Sequence, residues 1–240
     1  MSGKFGENQD TGERRNPGLL KELLERRDLD QAARSAIDGR QAFARVMQID
    51  DDNSAWLRTI VVAVGWPGRA LVGDEGAHAA WLLAQHADRH PSLQRRCLEL
   101  LEMAVAAGDA SPTDLAYLTD RVRLASGGSQ IYGTQMTAQD GNFVACRLHD
   151  PESVDDRRTS VGLGTLAAQR DEALARYGAP TPAPMLCPNC RQQIPVWLPE
   201  IGGRLTIECP LCRSVVIVRA DVPEPRSSAG SSHISNPQQS

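Results

Sequence analysis

Apolar positions follow helical spacing up to about Val122, strand-like runs follow Gly127-Gly128, and one more helical stretch comes before the C-terminal module. Leu19, Leu20, Leu23, Leu24 and Ala32 recur on one side with charged residues between them, which predicts a helix from Pro17. A second helix is expected over residues 42–48. Asp50, Asp51, Asp52 and Asn53 then offer N-caps for a third, through Trp56, Leu57, Ile60 and Val61, which Gly65-Trp66-Pro67-Gly68 ends. After a loop at Gly73, Asp74 caps a helix over residues 75–86, and His90-Pro91 breaks the chain. Residues 92–107 form the strongest amphipathic pattern, with Leu93, Cys97, Leu100, Leu101 and Ala104 on one side and Gly108 as the stop. Ser111-Pro112-Thr113-Asp114 then places a cap, an N1 proline and an N3 acid in register for a helix to about Val122.

After Gly127-Gly128 the period changes. Residues 130–137 and 142–148 predict two strands with Asp140-Gly141 in the turn. Strand alternation would put Gln130, Tyr132 and Thr134 on one face and Gln135 on the other. Asp155 to Arg158 reads as a solvated charge cluster, and residues 165–177 as a last helix. The fold class expected is mainly α with a small β-hairpin, followed by a small all-β module. The division expected is a disordered tail at 1–16, a helical domain at 17–177, a proline-rich linker at 178–186, a zinc ribbon at 187–222 and a disordered tail at 223–240.

Composition narrows the function classes. The chain has 240 residues, 41% of them apolar, and a formal net charge of −4. That charge argues against a nucleic-acid coat or a basic membrane-surface protein. The longest fully apolar run, Ile60 to Val64, is far too short to span a bilayer. No apolar segment marks the first ten residues as a signal peptide, so a cytoplasmic location is expected. Lys4 and Lys21 are the only lysines, and neither sits in a motif suited to a Schiff base or a P-loop.

Four of the six cysteines form Cys187-Pro-Asn-Cys190 and Cys209-Pro-Leu-Cys212. This C-x2-C…C-x2-C spacing is the zinc-ribbon pattern: each pair lets one tight turn aim both sulfurs at one ion. Two disulfides are the competing reading, and the absence of a signal peptide favours a structural Zn²⁺. Four thiolates leave no open position for a substrate. Basic and acidic residues nearly balance from Gly178 onward, so the module lacks a phosphate-binding footprint. Cys97 and Cys146 are expected as core thiols.

The remaining chemistry lies in Gln85-His86-Ala87-Asp88, Asp120-Arg121 and Gln130-Ile-Tyr132-Gly-Thr134-Gln135. Asp88 and Asp120 fall at expected helix C-termini, where the macrodipole disfavours a carboxylate, so each calls for a partner such as an arginine or His86. These residues form either a buried hydrogen-bond network tying helix ends to the hairpin or a pocket. No H-E-x-x-H, G-x-S-x-G or P-loop occurs, and Gly162-Leu-Gly164-Thr-Leu-Ala167 lacks the preceding apolar strand of a dinucleotide fingerprint.

Asn53-Ser-Ala-Trp56-Leu57, Gly65-Trp66-Pro67, Val72-Gly73, Gln85-His86-Ala87-Asp88, Leu118-Thr-Asp120-Arg121, Tyr132-Gly133-Thr134-Gln135 and Arg158-Thr-Ser-Val-Gly162-Leu163 occur in one order. Together they resemble an uncharacterised bacterial domain-of-unknown-function family, over roughly Leu19 to Tyr177. The resemblance implies a mostly helical domain and no established activity, and the cysteine module lies outside it.

Two functions follow as expectations. The first is a ligand- or protein-binding adaptor with the ribbon as a second contact surface. The second is a hydrolase-type enzyme with His86 as general base, Asp88 or Asp120 orienting it or holding a metal, and Gln85, Arg121, Gln130, Tyr132, Thr134 and Gln135 holding substrate. For His86 and Asp88 to share a site, the helix must end at or just after His86, because two helical residues differ by about 200° in direction.

Overall fold

The computed structural model describes residues 16–37, 40–196 and 204–219. The two expected disordered tails therefore lie almost wholly outside the described residues. Five helices build the main body: α1 (Pro17–Ser35), α2 (Arg40–Val64), α3 (Arg69–Gln85), α4 (Pro91–Ala106) and α5 (Pro112–Ala125). A hairpin of β1 (Met136–Gln139) and β2 (Asn142–Ala145) follows, then α6 (Val154–Ser160) and α7 (Leu166–Tyr177). Four strands complete the described residues: β3 (Ala183–Leu186), β4 (Gln193–Val196), β5 (Arg204–Glu208) and β6 (Val215–Arg219). The protein is thus mainly α with small antiparallel hairpins.

Local chemistry fixes the helix starts. Asn16 Oδ1 accepts from the Leu19 amide at 2.9 Å, Ser111 Oγ from Asp114 at 3.3 Å and Thr165 Oγ1 from Ala168 at 3.1 Å. Proline follows at the first turn of α1, α4 and α5, where its missing N–H costs nothing. The apolar faces of α1 to α5 close over one core, in which Leu23, Leu57, Val72, Leu83, Leu93 and Leu118 are fully buried. Each such side chain contributes about 2 kcal/mol by leaving water.

Three expectations are corrected here. Residues 42–48 and the helix through Val61 are one element, α2, and Asp50 to Asn53 lie inside it rather than at a cap. Tertiary partners hold those polar side chains, so they do not compete for the backbone. Residues 130–135 are an irregular loop, not a strand: Gly133 has a φ of 66°, which breaks the alternation. The paired strands begin only at Met136, in the register Met136 to Ala145 through Gln139 to Asn142. The Asp140-Gly141 turn is where it was expected, with φ of 49° and 78°. Arg158, expected in a solvated cluster, is almost completely buried.

The C-terminal module has its own small core of Cys187, Ile194, Cys209, Val216 and Val218. β3 pairs with β4 and β5 with β6, each hairpin carrying one C-x2-C turn at its tip. β3 begins at Ala183, inside the segment expected as linker. The expected turn at Gly202-Gly203 and the strand residues Trp197 and Leu198 lie outside the described residues.

Candidate functional site

α1 and α2 each carry a carboxylate on the face that packs into the protein. On α1 the buried residues run Leu19, Leu20, Leu23 and then Asp30. On α2 they run Val46, Asp50, Asn53, Ser54, Leu57 and Val61. The two aspartates meet His86, which caps the C-terminus of α3 as the helix ends at Gln85. His86 Nδ1 lies 3.0 Å from Asp30 Oδ2, and Asp30 is 1% exposed. Arg34, one turn beyond Asp30 on α1, places its Nε 3.1 Å from Asp30 Oδ1 and its Nη2 2.5 Å from Asp50 Oδ1.

The proton on His86 Nδ1 decides between two contacts. Arg34 Nε also lies 3.1 Å from Nδ1, and could donate to it only if that nitrogen were bare. Asp30 as a carboxylate accepts only, so its contact needs Nδ1 protonated. Burial pushes the Asp30 carboxyl up, but the His86 hydrogen bond, the His86 and Arg34 charges and Gln31 pull it further down, below the ordinary carboxylate range. Asp30 is therefore ionised, Nδ1–H donates to it, and Arg34 donates to Asp30. Burial lowers the His86 pKa despite Asp30, and the charges of Arg34 and Arg121 add to the lowering, which keeps the ring neutral at pH 7. Nε2 has no hydrogen-bond partner among the described residues and is not among the fully buried unpartnered atoms. Asp50 is pushed up to about 6, chiefly by burial and also by the charge of Asp30, against the pull of Arg34.

Asp30, Asp50 and His86 bring ligand-type atoms within 4.8 Å of one another. Arg34 supplies the positive charge between the two carboxylates. Next to this cluster, Asp88 receives Arg121 Nη1 at 2.7 Å and Gln94 Nε2 at 3.2 Å. Asp51 receives Arg89 Nη1 and contacts His90 Nε2, both at 2.9 Å. Gln85 Oε1, Asn53 Nδ2, Ser54 Oγ and Arg121 Nε are buried without a partner among the described residues. Polar groups in that state mark a place where water or a ligand completes the hydrogen bonding.

The sequence constellation divides into two groups. Gln85, His86, Asp88 and Arg121 gather at the α3–α4 corner with Asp30, Arg34 and Asp50. Asp120 turns the other way. It is fully buried, and its carboxylate accepts from the amides of Ile131, Tyr132 and Thr134 and from the Thr134 hydroxyl, at 2.6 to 3.2 Å. α5 runs on to Ala125, so Asp120 is not at a helix terminus as expected. Gln130 donates to the carbonyls of Gln135 and Cys146, both at 3.0 Å, and accepts from the Gln135 amide at 2.7 Å. Asp120, Gln130, Thr134 and the Tyr132 backbone therefore fix the loop before the hairpin. Asp30, Arg34 and Asp50 escaped the sequence reading. Their signal was a charged residue recurring on each apolar stripe, with Asp30 and Arg34 spaced i, i+4.

In the C-terminal module the four sulfurs of Cys187, Cys190, Cys209 and Cys212 lie within 4.8 Å of one another and could hold a metal ion. The two knuckles repeat one geometry. Arg191 N donates to Cys187 O and Arg213 N to Cys209 O, and both arginines have a left-handed φ, 60° and 62°.

A family model of unknown function, DUF6624, matches residues 17–176, which spans all seven helices and the site just described. The chain belongs to this family. No curated protein and no solved structure matches it. The DUF6624 domain ends at the close of α7, so the cysteine module is outside the match.

Proposed function

We propose that the DUF6624 domain is a hydrolase-type enzyme with His86 as its general base, and that the C-terminal module is a structural zinc ribbon. One observation carries the enzyme reading: a buried carboxylate fixes His86 Nδ1 while Nε2 is left without a partner. Asp30 takes the orienting role for which Asp88 and Asp120 were the sequence candidates. It sets the tautomer and steadies the imidazolium formed when Nε2 takes a proton from water or a substrate hydroxyl. Arg121, anchored by Asp88, adds a positive charge that would stabilise a developing oxyanion. Gln85, with its unpartnered carbonyl oxygen, positions substrate.

Two measurements test this reading. Diethyl pyrocarbonate should modify His86 in the native chain at pH 7, and Asp30→Asn should slow that modification by withdrawing the partner that makes the ring basic. Across a panel of ester, amide and phosphoester substrates, His86→Ala should lower turnover by about 100-fold or more. A native chain in which other histidines react and His86 does not would overturn the assignment.

Zinc is supported by distance. Sulfurs about 2.3 Å from a tetrahedral ion are about 3.8 Å apart. Here Cys187 and Cys212 Sγ are 3.7 Å apart, and Cys190 and Cys209 Sγ 3.8 Å. Purified reduced protein should carry one zinc per chain, and a content near zero would overturn the reading. For the module itself a contact role is favoured by Leu186, Leu211, Val215 and Ile217, which are all exposed.

A further inference from the structure

We infer that the groove between α5, the β1–β2 hairpin and α7 is a binding site for a small heteroaromatic molecule, separate from the His86 centre. Its volume is about 460 Å³, within the range of about 300–1,000 Å³ typical of ligand pockets. Tyr117, Thr134, Met136, Phe143, Glu172 and Tyr177 line it.

The walls are built more firmly than the hairpin alone requires. Asp120 holds Thr134 through both its amide and its hydroxyl. Arg158 donates to the Tyr132 carbonyl at 2.8 Å and to Gln169 Oε1 at 2.7 Å, and Gln169 returns a hydrogen bond to the Thr134 carbonyl at 3.0 Å. Two charged side chains, Asp120 and Arg158, are thus taken out of water to fix one loop against α7. Burying a charge is costly, and the result here is a groove whose Thr134 wall is held firmly against α7.

The lining states the ligand chemistry. Phe143 and Tyr177 stand edge to face, 6.2 Å between ring centroids, and Tyr177 is 68% exposed, leaving ring surface for a flat guest. The Arg176 guanidinium lies 5.3 Å over the Tyr177 ring. The Tyr117 hydroxyl has no hydrogen-bond partner among the described residues, and Glu172 brings a carboxylate to the same groove. Aromatic walls beside a phenol, a carboxylate and a guanidinium suit a planar ring bearing both donors and acceptors on its edge. A saturated ring would lose the stacking, and a plain hydrocarbon would leave the polar edge unmatched.

Adenine is a direct probe, with cyclohexanecarboxamide as a saturated control, each titrated into the full zinc-loaded chain. Adenine should shift the Met136 methyl and Phe143 ring NMR signals saturably at millimolar concentration. Tyr177→Ala should weaken it about fivefold or more, and Tyr117→Phe should weaken it measurably without altering the thermal melt. His86→Ala should leave the affinity unchanged, so the outcome does not depend on the enzyme reading. The inference is overturned by any of three results: no saturable shift, equal affinity for the saturated control, or full affinity in Tyr177→Ala.

Discussion

Asp30, Arg34, Asp50 and His86 form a corner in which burial and neighbouring charge shift Asp30, Asp50 and His86, and pH should expose the effect. Asp50 has a folded-state pKa of about 6, above its value in an unfolded chain. A raised carboxyl pKa means that the folded state binds the proton more tightly. The resulting stabilisation is complete below about pH 4 and is lost as pH rises through about 6. Asp50→Asn removes that loss. Relative to the native sequence, Asp50→Asn should therefore gain stability between pH 4 and 8, by up to about 3 kcal/mol. Chemical denaturation at both pH values measures the gain, and a stability difference independent of pH contradicts it. At this scale the end of α3 at His86 was legible, because Gln85-His86-Ala87-Asp88 precedes a His90-Pro91 break, but a buried network and a pocket stayed equally open. Asp50 was not, because a run of Asp and Asn is equally good as a helix cap, and only the partners Arg34, Arg89 and Arg26 show that it is something else.

The elements were easier to read where one local rule acted alone. α4 and α5 were marked by proline, cap and amphipathic spacing, and the Asp140-Gly141 turn by its dipeptide. Reading failed where tertiary contacts overrode local preference. α2 stays continuous through five successive polar residues, Asp50 to Ser54, because Arg26, Arg34 and Arg89 reach across to the first four. The loop at 130–135 gives up strand geometry because Asp120 draws in three of its amides. Gly76, in the middle of α3, is another such case. By propensity alone alanine should be better there by about 1 kcal/mol. A Cβ at that position, however, would stand 2.6 Å from Val72 Cβ within α3 and 2.9 Å from Leu20 Cδ1 of α1, so neither neighbour leaves room for one. Gly76→Ala should destabilise the domain by about 1–3 kcal/mol, read as a lower denaturation midpoint with an unchanged slope. A neutral or stabilising outcome would show that α1 can move away freely.

At the scale of the whole molecule the chain contains two cores of different origin. The DUF6624 domain buries aliphatic side chains from five helices in one core. The cysteine module has Ile194, Val216 and Val218 as the only fully buried aliphatic residues among those described, and its two hairpins are joined through sulfur rather than by a shared sheet. A module that small needs a bound ion to hold its turns together. The ribbon and the helical domain should therefore respond separately to loss of metal. A strong chelator under reducing conditions should unfold residues 183–219, seen as lost dispersion of the Ile194, Val216 and Val218 methyl signals. The cooperative helical melt should remain within a degree or two, because none of its core residues is a cysteine ligand. A fragment of residues 1–178 should show the same melt and retain the His86 reactivity. If chelation instead lowers the helical transition, or the fragment loses cooperativity, the cysteine module is part of the helical domain's framework. The metal would then control the His86 centre from outside the family domain.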